Sequence, residues 1–263
     1  MPTSSGSDGV GSTCRETAPV ERRAWVALSV ATLAGLLTTI DISIVNVAFP
    51  SIRRDLGATE ASLSWVLSGY SIAAGAFLML AGRLADQKGR RRLFLIGVTV
   101  FVVGSLLSGM ADTSGWLIAA RVVQGVGGSI LGPSSLAMIL PDFSDDRRSM
   151  VIGIWGASAA LGAALGPSIG AVLIDFASWR WIFFVNVPLG LVAGTVAYRA
   201  LRLPFSRRKA KLDWTGAAML SIAIATLMVA LEVGQDGWTD RNVITLFAIS
   251  LCATAAFVVA ERH

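Results

Sequence analysis

Between two long apolar runs, the sequence reads Gly82-Arg-Leu-Ala-Asp86-Gln-Lys-Gly89-Arg-Arg-Arg92. These eleven residues hold five cations and one acid in a chain that is otherwise mostly apolar. A segment this charged belongs at a membrane surface, because charges in the hydrocarbon core are costly. The glycines permit positive φ, and Asp86 is suited to capping a helix N-terminus or pairing with a nearby Arg. We therefore expect a tight turn between two antiparallel membrane helices.

The composition supports a membrane protein. Of the 263 residues, 54% are hydrophobic and only 15% are charged, whereas a soluble domain carries about 25% charge. The apolar residues form runs close to the length of about twenty residues that crosses a bilayer core. The sequence therefore predicts an all-α protein with several membrane spans.

The charge and the cysteine and histidine content argue against several other classes. The net charge is +5, but the cations lie in short loops, so we expect no nucleic-acid partner. Cys14 and Cys252 lie in a polar tail and an apolar run and are not expected to form a disulfide. His263 is the only histidine, which argues against a histidine metal site or a catalytic histidine. We expect no metal, no cofactor and no enzymatic activity.

Eight apolar runs predict eight membrane helices. We place them at 24–49, 61–81, 93–110, 115–140, 150–174, 180–200, 214–233 and 242–260. Residues 1–23 are polar and rich in Gly and Ser, and are predicted to be a disordered tail. The first run is too long for a cleaved signal peptide and is interpreted as a retained span.

The distribution of cations predicts the orientation. An even number of spans puts both termini on one side of the membrane. If that side is the cytoplasm, 17 of the 22 Lys and Arg residues lie inside and four outside. Short cytoplasmic loops carry an excess of cations, so both termini are predicted to be cytoplasmic.

Two ionisable residues stand inside predicted spans. Asp41 is about 13 Å from the outer end of the first span, and Arg121 is about 9 Å from the outer end of the fourth. Such residues face a partner or a wet cavity, so we expect them to approach each other if the two helices adjoin. Gln124 lies on the same helical face as Arg121, as do Gly125 and Gly128.

The side of the first span that faces a cavity is left open by the sequence. Thr39, Ser43 and Asn46 fall opposite Asp41 on the helix. We take Asn46 and Gln124 as candidate cavity residues.

The fifth span carries small residues every four positions, at Ser158, Gly162, Gly166 and Gly170. Such a ridge allows close helix packing. Pro167 removes a backbone donor and is expected to kink the helix.

Five segments, in order along the chain, resemble motifs of the major facilitator superfamily of transporters. The opening segment is similar to that family's loop between helices two and three, with Gln87 where a basic residue is usual. The segment from Leu117 to Ser129 resembles the fourth-helix motif. Residues 37–50 and 179–190 look like segments of the drug:proton antiporters with fourteen helices, and residues 162–171 resemble the family's antiporter motif, with Ala171 in place of a final Gly.

The resemblance implies a fold of two six-helix bundles, of which 24–200 would be the first. Residues 201–213 would be a basic cytoplasmic loop, and 214–263 would be two linker helices that precede a second bundle. The chain is therefore expected to be a fragment, a truncated product or one half of a split transporter. In such a chain the Asp41 and Arg121 face and the Gly-rich fifth helix would meet lipid.

The resemblance also implies roles for individual residues. Asp41 and Arg121 would couple transport to protons, and the fifth helix would be the antiporter helix. The opening loop would latch the two bundles together. Its latch residues are Gly82, Asp86, Gly89, Arg90 and Arg91. No role beyond anchoring and a helix start is implied for 179–190.

The function implied is efflux of drugs or other small amphipathic compounds across the plasma membrane, driven by a proton gradient. One alternative is export of an endogenous metabolite, lipid or siderophore. Another is a non-transporting half that acts only with a separate C-terminal bundle. An intramembrane enzyme is least favoured, because no histidine pair, aspartate pair or Ser–Lys arrangement stands within a span.

Overall fold

The computed structural model describes residues 22–200, 214–235 and 237–261. Within these ranges the regular structure is helical, and one 3-10 turn lies at Leu140–Asp142. The helices are α1 (Arg22–Leu56), α2 (Glu60–Lys88), α3 (Arg90–Gly109), α4 (Ser114–Ile139), α5 (Asp145–Phe176), α6 (Trp181–Phe184), α7 (Asn186–Ala200), α8 (Trp214–Gly234) and α9 (Arg241–Glu261). The predicted tail at 1–21 and the basic loop at 201–213 lie outside the described residues.

The all-α membrane fold is confirmed. Eight described segments are long and apolar enough to cross a membrane, one for each predicted span. The sixth is interrupted, because Val185 separates α6 from α7. Pro188 lies in the first turn of α7, where its missing N–H removes no helix hydrogen bond.

Several helices are longer than their apolar runs. α1 continues through Pro50 to Leu56, and α5 begins at Asp145. α2 continues through Gly82 to Lys88, and α3 starts at Arg90. The turn at the opening segment is therefore a single residue, Gly89, with φ 92°, a conformation that glycine adopts readily.

The helices pack around α1 and α4. α1 lies against α5, and α4 lies against α2 and α3. Glycines allow the close approach of α3 and α4, since a Cβ on Gly104 would lie 2.6 Å from the backbone nitrogen of Gln124. A Cβ on Gly127 would lie 2.7 Å from the Cα of Phe101. Both separations are shorter than real Cβ contacts, so larger residues there would force α3 and α4 apart.

The last two spans form a hairpin that docks on α2. α8 and α9 pack together, and the Ser250 hydroxyl donates to the Ala223 carbonyl at 2.9 Å. Gly75 of α2 lies against Met228 of α8, and the Ser64 hydroxyl donates to the Glu232 carboxylate. The hairpin is thus attached to α2 by both apolar packing and a hydrogen bond.

Candidate functional site

Asp41 and Arg121 form an ion pair within the helix bundle. Arg121 Nη1 donates to Asp41 Oδ2 at 2.6 Å, and both side chains are 0% exposed. The similar depth of the two residues in their spans indicated this proximity. The expectation that this face would meet lipid is wrong, because packing of α1 and α4 against their neighbours encloses both groups.

Two amide side chains complete the contacts of the Asp41 carboxylate. Gln124 Nε2 and Asn186 Nδ2 both donate to Asp41 Oδ1, at 2.8 Å and 2.7 Å. Gln124 Oε1 in turn accepts from Arg121 Nη1 at 2.8 Å. Each carboxylate oxygen is therefore bound by a donor from another helix, which is the condition under which a buried charge is tolerated.

Aromatic rings cover the guanidinium of Arg121. Its Cζ lies 4.3 Å from the ring centroid of Tyr70 and 5.7 Å from that of Phe183. Both distances fall within the range of a cation–π interaction. Gly125 and Gly128 bring α4 close to Tyr70, because a Cβ on either would overlap the carbonyl oxygen or the hydroxyl of Tyr70.

Asn186 belongs to the site although sequence reasoning assigned no function to its segment. It is 0% exposed, and its Nδ2 also donates to Ser105 Oγ at 3.0 Å. Ser105 Oγ itself donates to the Phe183 carbonyl at 2.8 Å. The feature of the sequence that could have identified Asn186 as a site residue is an asparagine near the start of an apolar span, three residues after Phe183.

The candidate cavity residues are separated by the structure. Gln124 lies within the buried network, whereas Asn46 is exposed on α1, five residues beyond Asp41. Thr39 and Ser43 face α5, and Ser43 Oγ lies 3.4 Å from the Gly162 carbonyl oxygen.

The glycine ridge of α5 faces α1. Gly162, Gly166 and Gly170 are buried in a helix whose other residues in this stretch are mostly exposed. A Cβ on Gly162 would overlap Thr39 Oγ1 and lie 2.8 Å from the Leu36 carbonyl oxygen. The glycines are therefore the contact surface for α1, while most of the remaining surface of the fifth helix is exposed, in keeping with the expectation for that helix as a whole. Pro167 lies inside α5, and the kink expected there stays a prediction.

Arginines of the opening segment bind the ends of other helices. Arg90 Nη1 donates to the Ala137 carbonyl at 2.6 Å, near the C-terminus of α4. Arg91 donates to the carbonyls of Ala197 and Tyr198 at the end of α7 and stacks on the Tyr198 ring at 5.2 Å. These contacts place cations at the negative ends of two helix dipoles. The side chain of Asp86 lies outside the described residues.

A second ion-pair cluster joins the opposite ends of the helices. Arg180 donates to the Asp55 carboxylate and, at 3.1 Å, to the Ala111 carbonyl. Trp179 Nε1 also donates to Asp55, at 2.9 Å. The cluster connects the end of α1 with the segments before α4 and α6. Among the described residues, no group of three His, Cys, Asp or Glu side chains is arranged to hold a metal.

Comparisons with known proteins identify a family for this chain. A sequence model described as Major Facilitator Superfamily matches residues 31–260. The chain is 36% identical over 242 residues to the puromycin resistance protein pur8 of Streptomyces alboniger, covering 92% of this chain and 48% of that protein. It is 37% identical over 229 residues to multidrug resistance protein 3 of Bacillus subtilis, covering 86% of this chain and 44% of that protein.

A third relative is the cephamycin export protein CmcT of Amycolatopsis lactamdurans, 38% identical over 244 residues, covering 91% of this chain and 50% of that protein. The chain thus spans about half the length of these curated relatives and matches their N-terminal portion.

Proposed function

This chain belongs to the Major Facilitator Superfamily, and from that premise we propose that it works as the N-terminal portion of a proton-driven exporter of drugs or other small amphipathic compounds. Relatives whose names refer to drug resistance or export support this proposal. The eight candidate spans support a multi-pass membrane protein. We place it in the plasma membrane with both termini in the cytoplasm, and we propose no enzymatic activity and no cofactor.

The observation that carries the proposal is the buried ion pair of Asp41 and Arg121. A carboxylate with 0% exposure in the middle of a span is a functional feature by default in membrane proteins. Protonation of Asp41 removes the negative charge that compensates Arg121. Since an uncompensated buried charge is strongly unfavourable, protonation favours a different arrangement of α1 and α4. A proton gradient can then drive a conformational equilibrium.

Cargo and protons would compete at this site. Asn46 is exposed on α1 near Asp41 and would contact cargo, whereas Gln124 would reach cargo only after the network opens. Cargo binding to the deprotonated state and proton binding to Asp41 would therefore exclude each other. This competition would couple the two flows in opposite directions.

The division of the molecule follows the same proposal. Residues 24–200 would form one six-helix bundle, 201–213 a cytoplasmic loop, and 214–263 two linker helices. Transporters of this type alternate by rocking one bundle against another around a central site. The second bundle would correspond to the C-terminal half of the relatives. Gly82, Asp86, Gly89, Arg90 and Arg91 would latch the bundles at the cytoplasmic face.

Replacement of Asp41 by Asn tests the proton-coupling assignment. The chain is reconstituted in liposomes together with the C-terminal half of multidrug resistance protein 3, and a cationic dye is the cargo. For wild type, we expect an imposed proton gradient to drive dye across the membrane. For Asp41→Asn, which keeps the shape but cannot ionise, we expect transport at the level of liposomes without the chain.

The matched control is Asp112→Asn, which changes an exposed carboxylate in the segment between α3 and α4. Its transport should equal that of wild type. Proton-driven efflux by Asp41→Asn at the wild-type rate, with equal protein incorporated, would show that Asp41 is not the coupling site.

A further inference from the structure

Asn186 has a buried hydrogen-bonding atom that the network leaves unused. Its Nδ2 donates to Asp41 Oδ1 and Ser105 Oγ, but its Oδ1 is buried and has no hydrogen-bond partner among the described residues. An unpaired buried acceptor is destabilising, because it has given up its hydrogen bonds to water without replacement. The chemistry of Asp41 supplies a reason for keeping such an atom here.

Protonation of Asp41 changes the hydrogen bonds that its carboxyl group can make. A carboxylate accepts only, whereas a carboxylic acid also donates one O–H and needs an acceptor for it. Asp41 Oδ2 accepts from Nη1 of the charged Arg121, whereas Oδ1 receives hydrogen bonds from two neutral amides. The proton is therefore best placed on Oδ1, and one of the two amides must then present its oxygen.

Gln124 is not free to present its oxygen. Its Oε1 already accepts from Arg121 Nη1 at 2.8 Å. Rotation of this amide by 180° would point its NH2 group at the guanidinium, which only donates. Turning the Asn186 amide costs its Oδ1 no hydrogen bond, since that atom has no partner among the described residues. The turn does break the bond from Nδ2 to Ser105 Oγ, but the Ser105 hydroxyl can restore a contact by donating to Oδ1. The pairing pattern thus singles out one of the two amides.

We propose that the Asn186 amide turns over when Asp41 is protonated, so that Asn186 Oδ1 accepts the new Asp41 O–H and Asn186 serves as the positioning residue that reports the protonation state. This inference rests on the proposed role of Asp41 in proton coupling. The step is balanced by one proton from the aqueous phase, which forms the Oδ1–H bond, and no covalent bond to Asn186 changes.

The rearrangement would also change hydrogen bonds near the break in the sixth span, between α6 and α7. After turnover, Asn186 Oδ1 would face Ser105 Oγ in place of Nδ2, which lies 3.0 Å from it. Two oxygens at this separation repel each other unless one donates a hydrogen bond to the other. The Ser105 hydroxyl would therefore turn from the Phe183 carbonyl toward Asn186. Phe183 lies just before the α6–α7 break, and its ring lies against Arg121. Protonation of Asp41 in α1 would therefore change a hydrogen bond to the backbone near the end of α6.

Few other groups in the described part of the chain could respond to a proton at this network. Among these residues, the charged and titratable side chains that face it are Arg121 from α4 and Tyr70 from α2. α3 contributes the neutral Ser105, and α6 contributes Phe183. α5 meets this part of α1 with the uncharged Gly162 and Gly166. Titration of Asp41 is therefore the event that the Asn186 amide would follow.

Solid-state NMR of the native chain in lipid bilayers tests this directly. The sequence holds three asparagines, Asn46, Asn186 and Asn242, so selective 15N labelling gives three side-chain amides, assigned by single replacements. Aspartate 13C labelling follows the Asp41 carboxyl in the same sample. We expect the Asn186 amide signal to move on acidification with the same midpoint as the Asp41 carboxyl. The exposed Asn242 amide should not follow that midpoint.

Asp41→Asn provides the decisive variant, because it removes the titrating group and keeps the packing. In it the Asn186 amide signal should no longer respond to pH. A titrating Asp41 beside an unchanged Asn186 amide would overturn the turnover and leave the proposed function standing. An Asp41 carboxyl that never titrates would overturn both. A pH response of Asn186 that persists in Asp41→Asn would assign it to another group and overturn the turnover alone.

Discussion

At the scale of single residues, Asp41 is an acid whose two oxygens are held by other helices. Arg121 and Gln124 bind it from α4, and Asn186 binds it from α7. Burying such a pair is expensive, and the attraction offsets the cost only when the remaining hydrogen bonds are made. The contacts of the two amides meet that condition for Asp41. Loss of either charge leaves the other buried without compensation, so a change in charge can shift the protein between two arrangements.

The first stability prediction concerns this pair. Asp41→Leu leaves Arg121 buried without its counter-charge and should lower the free energy of unfolding by about 3–5 kcal/mol. The double variant Asp41→Leu/Arg121→Met should recover a large part of that loss, because apolar groups of similar volume replace both charges. Unfolding in mixed micelles, followed by circular dichroism, measures both changes. A double variant that is less stable than the single one would contradict the explanation.

Asp41 and Arg121 were recognisable from the sequence, whereas Asn186 was not. Two opposite charges at similar depth in apolar runs indicate a pair through their spacing alone. Asn186 looked like part of an interfacial helix start, because its role depends on how α7 is rotated and where α6 stops. Neither quantity is encoded in the hydropathy of the segment. Tyr70 was missed for a related reason, since an aromatic residue in a span is usually a packing residue.

At the scale of helices, α5 illustrates how small residues direct packing. Its buried glycines lie where Thr39, Ser43 and the α1 backbone approach. The spacing of four predicted a close contact but not its partner. The lengths of the helices were also underestimated, since α1 and α2 continue into charged residues outside the apolar runs. Hydropathy identifies the part of a helix that lies in the hydrocarbon core, but it does not indicate how far the helix continues beyond that core.

The second stability prediction tests the contact between α1 and α5. Gly162→Ala would place a Cβ against Thr39 Oγ1 and the Leu36 carbonyl oxygen. We expect a loss of about 1–3 kcal/mol in the free energy of unfolding, as for overpacking in cores. Gly156→Ala, on the same helix with nothing within 4 Å of its Cβ, is the matched control. It should be neutral or more stable by about 0.5–1 kcal/mol.

Equal stabilities for these two alanine variants would show that α5 does not depend on the glycine at 162 for its approach to α1. Helix propensity changes equally in both variants, so only the neighbours of the new methyl group differ between them. The measurement is again unfolding in mixed micelles.

At the scale of the whole molecule, eight segments suited to a bilayer are joined by short connections within each described range. Their number and order followed from the apolar runs, and the enclosed network explains why two of them can carry charge. Cytoplasmic termini are an inference from the cations in the loops. The same inference places the Gly89 turn inside the cell and the Asp55–Arg180 cluster outside it.

Cysteine accessibility tests this orientation. In a background with Cys14 and Cys252 replaced by Ser, Asp112→Cys should react with a membrane-impermeant maleimide in intact cells. Ser144→Cys, which lies before α5, should react only after the cells are permeabilised. Both positions are exposed, so access across the membrane is the variable that differs. The reverse labelling pattern would invert the proposed topology.

The sequence separation of the Asp41 contacts has a consequence for biosynthesis. Arg121 follows Asp41 by 80 residues and Asn186 follows it by 145, so the acid enters the membrane long before its partners are translated. An acid at the centre of a lone helix costs roughly 2.5–3.5 kcal/mol on insertion scales. The nascent first span therefore carries an uncompensated acid until Arg121 arrives with the fourth span, and its contacts are complete only when the sixth span adds Asn186. A nascent chain that ends before α7 has the acid without one of its two amide donors, so we expect it to be less stable in the membrane than a chain that includes α7.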